Sequence, residues 1–190
     1  MLRLFFKVKR KLNKWGHAAV ISIKRTEWEA LHSTRFRVGK NLFFGKKFSL
    51  YFDASSSRVQ FGNDIQFRDF CQVRSGADGT LSVGNRVFFN NFCSITCFHN
   101  ISIGDDCQFG EGVRFYDHNH QHRLADKPIN EQGYITGAIS IGNNCWFGSQ
   151  VIILKDVTIG DNVIIGAGCI IHKSIPSGSV IVNKQELVTL

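Results

Sequence analysis

At 190 residues the chain is long enough for one domain with its own core and too short for two of full size. Apolar residues make up 43% and charged residues 20%, with two prolines and no apolar run of membrane-spanning length. This excludes a disordered chain, a collagen-like fibre and a predicted transmembrane helix. The net charge of +8 is concentrated at one end: residues 1–25 hold eight Lys or Arg and no acid, and the rest carries fifteen bases against fifteen acids. The body is therefore not a nucleic-acid binder, and any electrostatic partner belongs to the N-terminus.

Residues 1–33 interleave those bases with Leu2, Leu4, Phe5, Phe6, Val8, Leu12 and Trp15, predicting a basic segment of one or two amphipathic helices. Such a segment either packs on the first layer of the fold or lies on an anionic membrane surface, residues 1–25 supplying the peripheral contact. Leu2–Phe6 is too short for a signal-peptide core, and the six cysteines (71, 93, 97, 107, 145, 169) form no CxxC pair. A reducing cytoplasm is expected, at most at the inner face of the membrane.

From Val38 onwards a bulky apolar residue recurs every six positions. The triplets are Val38/Phe44/Leu50, Phe61/Phe67/Val73, Val83/Phe89/Ile95, Ile103/Phe109/Phe115, Ile141/Phe147/Ile153 and Ile159/Ile165/Ile171. A glycine follows ten of these eighteen anchors, which suits a backbone that turns without a side chain in the way. Four residues after each anchor runs a second row that includes Ile65, Val87, Val151, Ile175 and five of the six cysteines. These cysteines read as small buried hydrophobes stacked layer on layer; Cys97 lies off the row. A period of six is neither helical nor simply alternating. Three hexads make one 18-residue turn of a triangular solenoid.

Between successive triplets the chain carries 5, 4, 2, 20 and 0 residues beyond the strict period, each excess after a third hexad. All extras thus fall on one edge, as functional insertions on solenoids do. The longest, over 117–137, opens with Asp117-His118-Asn119-His120-Gln121-His122. Histidines at alternate positions of an extended segment can share a side, and three readings fit: a metal site, a catalytic base or solvated loop residues.

Taken together, residues 38–178 resemble the hexapeptide-repeat acyltransferases, and the resemblance implies an all-β solenoid, a left-handed parallel β-helix of about six coils over 34–182. Within that family the chain is similar to maltose and galactoside O-acetyltransferases, and its DHNH wording to enzymes that acetylate O-antigen and capsule sugars. The resemblance implies acetyl-CoA as co-substrate, a sugar or oligosaccharide acceptor, no metal, and roles for particular residues. His120, four positions after Tyr116, falls on the catalytic base. Asn90, in Phe88-Phe89-Asn90-Asn91, falls on the asparagine beside the acceptor. Trp146 falls on the aromatic residue that packs against coenzyme A, and the Ser149 amide on the oxyanion donor. Asp117 or a backbone carbonyl would fix the tautomer of the base. Ala167 would contact the pantetheine arm, and His172 and Lys173 the coenzyme phosphates. The chain departs from the family after Gly178, so the tail 183–190 leaves the adenine-end contacts undefined.

A histidine base suits such chemistry, since direct transfer from a thioester to a hydroxyl needs proton removal and oxyanion donors but no nucleophilic Ser or Cys. The resemblance also implies a homotrimer of about 64 kDa with sites between subunits, three times 21.4 kDa. The alternatives are an N-acetyltransferase of a nucleotide-linked amino sugar, a metal lyase resembling γ-type carbonic anhydrases, and a non-catalytic trimeric scaffold.

Overall fold

The computed structural model describes residues 19–184. The basic stretch 1–18, with most of the predicted membrane contact, and the tail from 185 lie outside them. Each hexad forms one short strand and one corner, and strands three hexads apart pair in parallel. The first face stacks Phe36–Val38, Arg58–Phe61, Thr80–Val83, Asn100–Ile103, Ala138–Ile141 and Val157–Ile159. The second runs from Phe43–Phe44 to Val180–Ile181 through seven strands, and the third from Ser49–Phe52 to Ile170–Ile171 through six. The result is a left-handed parallel β-helix of about six coils.

All six triplets are in register. Val38, Phe61, Val83, Ile103, Ile141 and Ile159 are consecutive partners on the first face, and the other two anchor columns align in the same way. Their side chains fill the prism. Phe67, Phe89, Phe109 and Phe147 form a stacked ladder with centroids 4.5–4.7 Å apart. Most of the second row is buried beside it. Four of its five cysteines also donate to carbonyls of the next coil, among them Cys71 Sγ to Asn90 O at 3.0 Å and Cys107 Sγ to Gly142 O at 3.2 Å. A thiol at that position both fills space and satisfies a corner acceptor.

The glycines sit where a side chain would be in the way, as expected, but they are not the left-handed residues of the corners. Those that follow the anchors have negative φ, and the left-handed residue comes two positions later, as at Asp64, Arg86 and Asp106. Glycine is needed for close approach: a Cβ at Gly104 would lie 2.7 Å from the Gly142 carbonyl of the next coil. The residue after each such glycine extends a polar ladder along the edge between first and second faces. Asn63, Asn85, Asp105, Asn143 and Asp161 each accept, at 2.6–2.9 Å, the N–H of their counterpart one coil earlier. Gly104→Ala should therefore pry two coils apart, at about 1–3 kcal/mol or roughly 5 °C of melting temperature, read by thermal denaturation.

The edge between third and first faces carries the insertions, and there the second row fails. Ala54 is half-buried, and Ala77, His99 and Asn119 are exposed, because the extra residues swing the chain outward. The inward positions are instead those two past the anchor, Ser75, Cys97 and Asp117, all buried. Cys97 is thus part of the core stack. Ile175 also departs from its expected row: the last connection is two residues short, which puts it beside Ile159 in the anchor column of the first face. At the other end, helical residues 19–31 cover the first coil, with Trp28 5.3–6.0 Å from the rings of Phe36, Phe44 and Phe48. For this part of the N-terminal segment packing is observed. Among the described residues no helix is long and apolar enough to cross a membrane.

Candidate active site

The long excursion leaves and re-enters the solenoid at one point, where Gly137 N–H donates to Asp117 O at 2.8 Å. Its stem is an antiparallel hairpin, His118–His120 against Tyr134–Thr136, with His120 opposite Tyr134. The Gln132 side chain ties the tip together through Leu124 and Lys127.

Asp117 anchors this arm. Its side chain is fully buried, and its carboxylate accepts the Phe98 and His99 N–H groups at 2.8 Å and lies 3.2 Å from His118 Nδ1. Burial alone would raise its pKa, but the bonds from His118 and the two backbone N–H groups outweigh it and hold the carboxyl below the usual range. An ionised carboxylate only accepts, so the His118 proton facing it sits on Nδ1. The His118 ring stacks on Phe98 at 4.1 Å and meets the edge of Tyr134 at 5.2 Å. His120 lies on the same side of the hairpin, exposed, with its ring 4.7 Å from that of Tyr134. Asp117 therefore orients His118 and not His120, which differs from the role expected of it. The reason is local: the carboxylate turns inward beneath its immediate neighbour, while His120 is carried out along the arm. Among the described residues no three His, Cys, Asp or Glu side chains converge as a metal-ligating group.

Beside the hairpin opens a cleft of about 420 Å³ lined by Asp53, Arg74, Asp78, Phe98, Tyr134 and Thr136, with Arg74 Nε 2.8 Å from Asp53 Oδ2. Two aromatic faces with a few charged and hydroxyl groups suit a small polar ring. Sequence reasoning missed these residues. Phe98 carried a signal, an aromatic residue outside the hexad register at an insertion edge. Tyr134 carried none, since only the hairpin register places it.

The other predicted residues lie elsewhere. Asn90, Ser149 and Ala167 share the edge between second and third faces, where Asn90, Gly110, Gly148 and Gly166 are consecutive in register. Asn90 Oδ1 accepts the Asn91 N–H at 2.9 Å. On the early coils of this edge side chains cap the corner amides: Lys46 N–H bonds Asp69 and Asp69 N–H bonds Asn91. The ladder then stops, and the N–H groups of Glu111, Ser149 and Ala167 make no hydrogen bond within the described chain. Trp146 projects from the second face, 52% exposed, between Gln108 and Ile164. His172 and Lys173 are exposed on the last coil, along the hairpin's edge. The third face thus separates His120 from Ser149 within one chain.

Comparison with known proteins accords with this architecture. The family described as bacterial transferase hexapeptide (six repeats) matches residues 138–173. The "probable acetyltransferase Rv3034c" of Mycobacterium tuberculosis is 26% identical over 141 residues, 74% of this chain and 47% of its own length, so the chain spans about half of that relative. A galactoside acetyltransferase in complex with coenzyme A superposes with a TM-score of 0.53 at 28% identity, over 82% of this chain and 64% of that one. A single-residue mutant of AntD, an N-acyltransferase from Bacillus cereus in complex with dTDP and coenzyme A, shares the fold with a TM-score of 0.67 at 21% identity, over 82% and 83% of the two chains. With six hexad triplets in register and the six-repeat match over its last coils, the chain is similar to the hexapeptide-repeat transferases.

Proposed function

We propose that the chain is an acetyl-CoA-dependent O-acetyltransferase acting on a sugar hydroxyl in the building of bacterial surface polysaccharide, in the cytoplasm where that donor is made. The observation that carries the reading is the open row of corner amides at Glu111, Ser149 and Ala167 on an edge whose earlier amides are capped. Such donors suit a thioester carbonyl and the oxyanion that develops on it. Trp146, projecting from the adjoining face, would pack on the coenzyme, with Ala167 along the pantetheine arm and His172 and Lys173 toward its phosphates. His120 would take the proton of the acceptor hydroxyl as its oxygen attacks the acetyl carbonyl. Collapse of the tetrahedral intermediate forms the ester, breaks the C–S bond and expels coenzyme A thiolate, which receives that proton. Asn90 would hold the acceptor. Asp78 in the cleft, outside the Asp53–Arg74 ion pair, favours a second reading, an amino-sugar acceptor, because a carboxylate suits an ammonium group.

Since one chain holds His120 and Ser149 on different edges, the working unit would be a homotrimer with the arm of one subunit beside the coenzyme edge of the next. Leu124, Ile129 and Ile135, exposed apolar residues of the arm, fit such a neighbour. His120→Ala and Trp146→Glu should each lower acceptor-dependent thiol release from acetyl-CoA by about 10²-fold or more, and refolding the two together should restore part of it. Hybrid trimers without recovery would mean that each site is built from one chain. No thiol release with either hydroxyl or amino sugars would sink the transferase reading.

A further inference from the structure

A second cavity, of about 410 Å³, opens on the first face over the early coils, away from the hairpin and from the Ser149 edge. Arg35, Arg37 and Arg58 line it with Gln60, Thr80 and Ser82, and no carboxylate does. In a body whose bases and acids balance, this local excess has to be explained.

The register fixes how the arginines converge. Arg37 pairs with Gln60 and Gln60 with Ser82, one outward column of the flat face, while Arg58 pairs with Thr80 in the next. Arg37 and Arg58 are therefore one coil and two residues apart, about 8 Å for coils ~4.8 Å apart and ~3.3 Å per residue. Neither forms an ion pair among the described residues. Arg35 is held at the rim, donating to Ala54 O, with Nη2 2.7 Å from His32 Nδ1 and its guanidinium over the Phe52 ring. Two unpaired guanidinium forks around hydroxyl and carboxamide donors form an acceptor-poor, donor-rich pocket that matches a phosphate in geometry as well as charge.

We infer that this cavity is an anion site for a diphosphate ester, the group by which an activated or lipid-linked sugar is carried. Assigning the anion to the acceptor rests on the sugar-transfer reading; binding itself does not. The position argues against the coenzyme's own phosphates, because Ser149 and Ala167 lie on later coils and another edge.

Calorimetric titration of the full chain with inorganic pyrophosphate tests the site without turnover. Binding should weaken at least tenfold in R37Q/R58Q and less in R37K/R58K, which keeps the charge but loses the forks, with coenzyme A affinity unchanged in both. Both arginines project outward, so unaltered melting curves are expected alongside. Uridine diphosphate and farnesyl diphosphate then separate the sources: the one that binds more tightly than pyrophosphate, in an arginine-dependent way, identifies the carrier. Equal pyrophosphate affinity in R37Q/R58Q, one-for-one displacement by coenzyme A, or binding of neither ester would overturn the site. Arginine-dependent binding in a chain that released no thiol would leave the site standing and remove the transferase reading.

Discussion

Replacing His120 with alanine is expected to lower acetyl transfer by about 10²–10⁴-fold, the usual worth of a general base, while leaving the melting temperature unchanged. The ring is exposed on the hairpin and touches Tyr134 alone among the described aromatic rings, so its removal opens no cavity. His118→Ala is the informative contrast. That ring lies between Phe98, Tyr134 and the Asp117 carboxylate, so its loss should loosen the arm and increase proteolysis within residues 121–133. Kinetics on acetyl-CoA with a saturating acceptor, paired with limited proteolysis, separate the two. If His118→Ala removed activity with the arm still protected and His120→Ala did not, the base would be His118, with Asp117 as its orienting partner.

Asp117→Ala should be the most destabilising single change at the site. It strips the acceptor from two backbone N–H groups and from His118, and buried donors without partners cost about 1–3 kcal/mol each. A loss of about 3 kcal/mol or more is expected in denaturant unfolding, with activity falling as the hairpin loses its footing. The pH dependence follows from the depressed carboxyl. Its stabilisation is complete above the unfolded-state value of about 3.9 and is lost as pH falls through the lower folded-state value. The wild-type protein should therefore lose more stability than the variant on going from pH 5 to pH 2. Parallel acid limbs would show that the carboxylate contributes nothing to folding.

The coils were legible in the sequence because every anchor faces the same environment. A buried position at the same place in every layer admits only bulky apolar side chains, so Phe67, Phe89, Phe109 and Phe147 announce one another. The insertion edge does not repeat, and there the period misled: His99 and Asn119 kept the spacing but lost the environment, while Cys97 and Asp117 broke the spacing and entered the core. Glycine was placed correctly, since close approach of the next coil at Gly104 leaves no room for a side chain. At the site, His118 and His120 do share one side of a strand. The partner of Asp117 was misjudged because a carboxylate's direction at a strand end depends on which N–H groups the previous coil presents, and one chain of letters does not show them. The Ser149 amide was indicated by the resemblance alone, and that it is open in a row with Glu111 and Ala167 was beyond sequence reasoning, since an absent cap is visible only once the coils are stacked.

The hydrogen bond between Gly137 and Asp117 at the root of the arm has a consequence for how such a protein changes over generations. Asn100 and Ala138 pair across the excursion as neighbours in an unbroken repeat would. The stack registers only where the arm departs and returns, so its length and content can vary without disturbing a coil. Closing a longer excursion would cost little more, about 0.6 kcal/mol for each doubling of length. Acceptor preference and scaffold are thereby separable inheritances: an arm exchanged at Asp117 and Gly137 would bring its own Tyr134 equivalent and its own histidines to an unaltered prism.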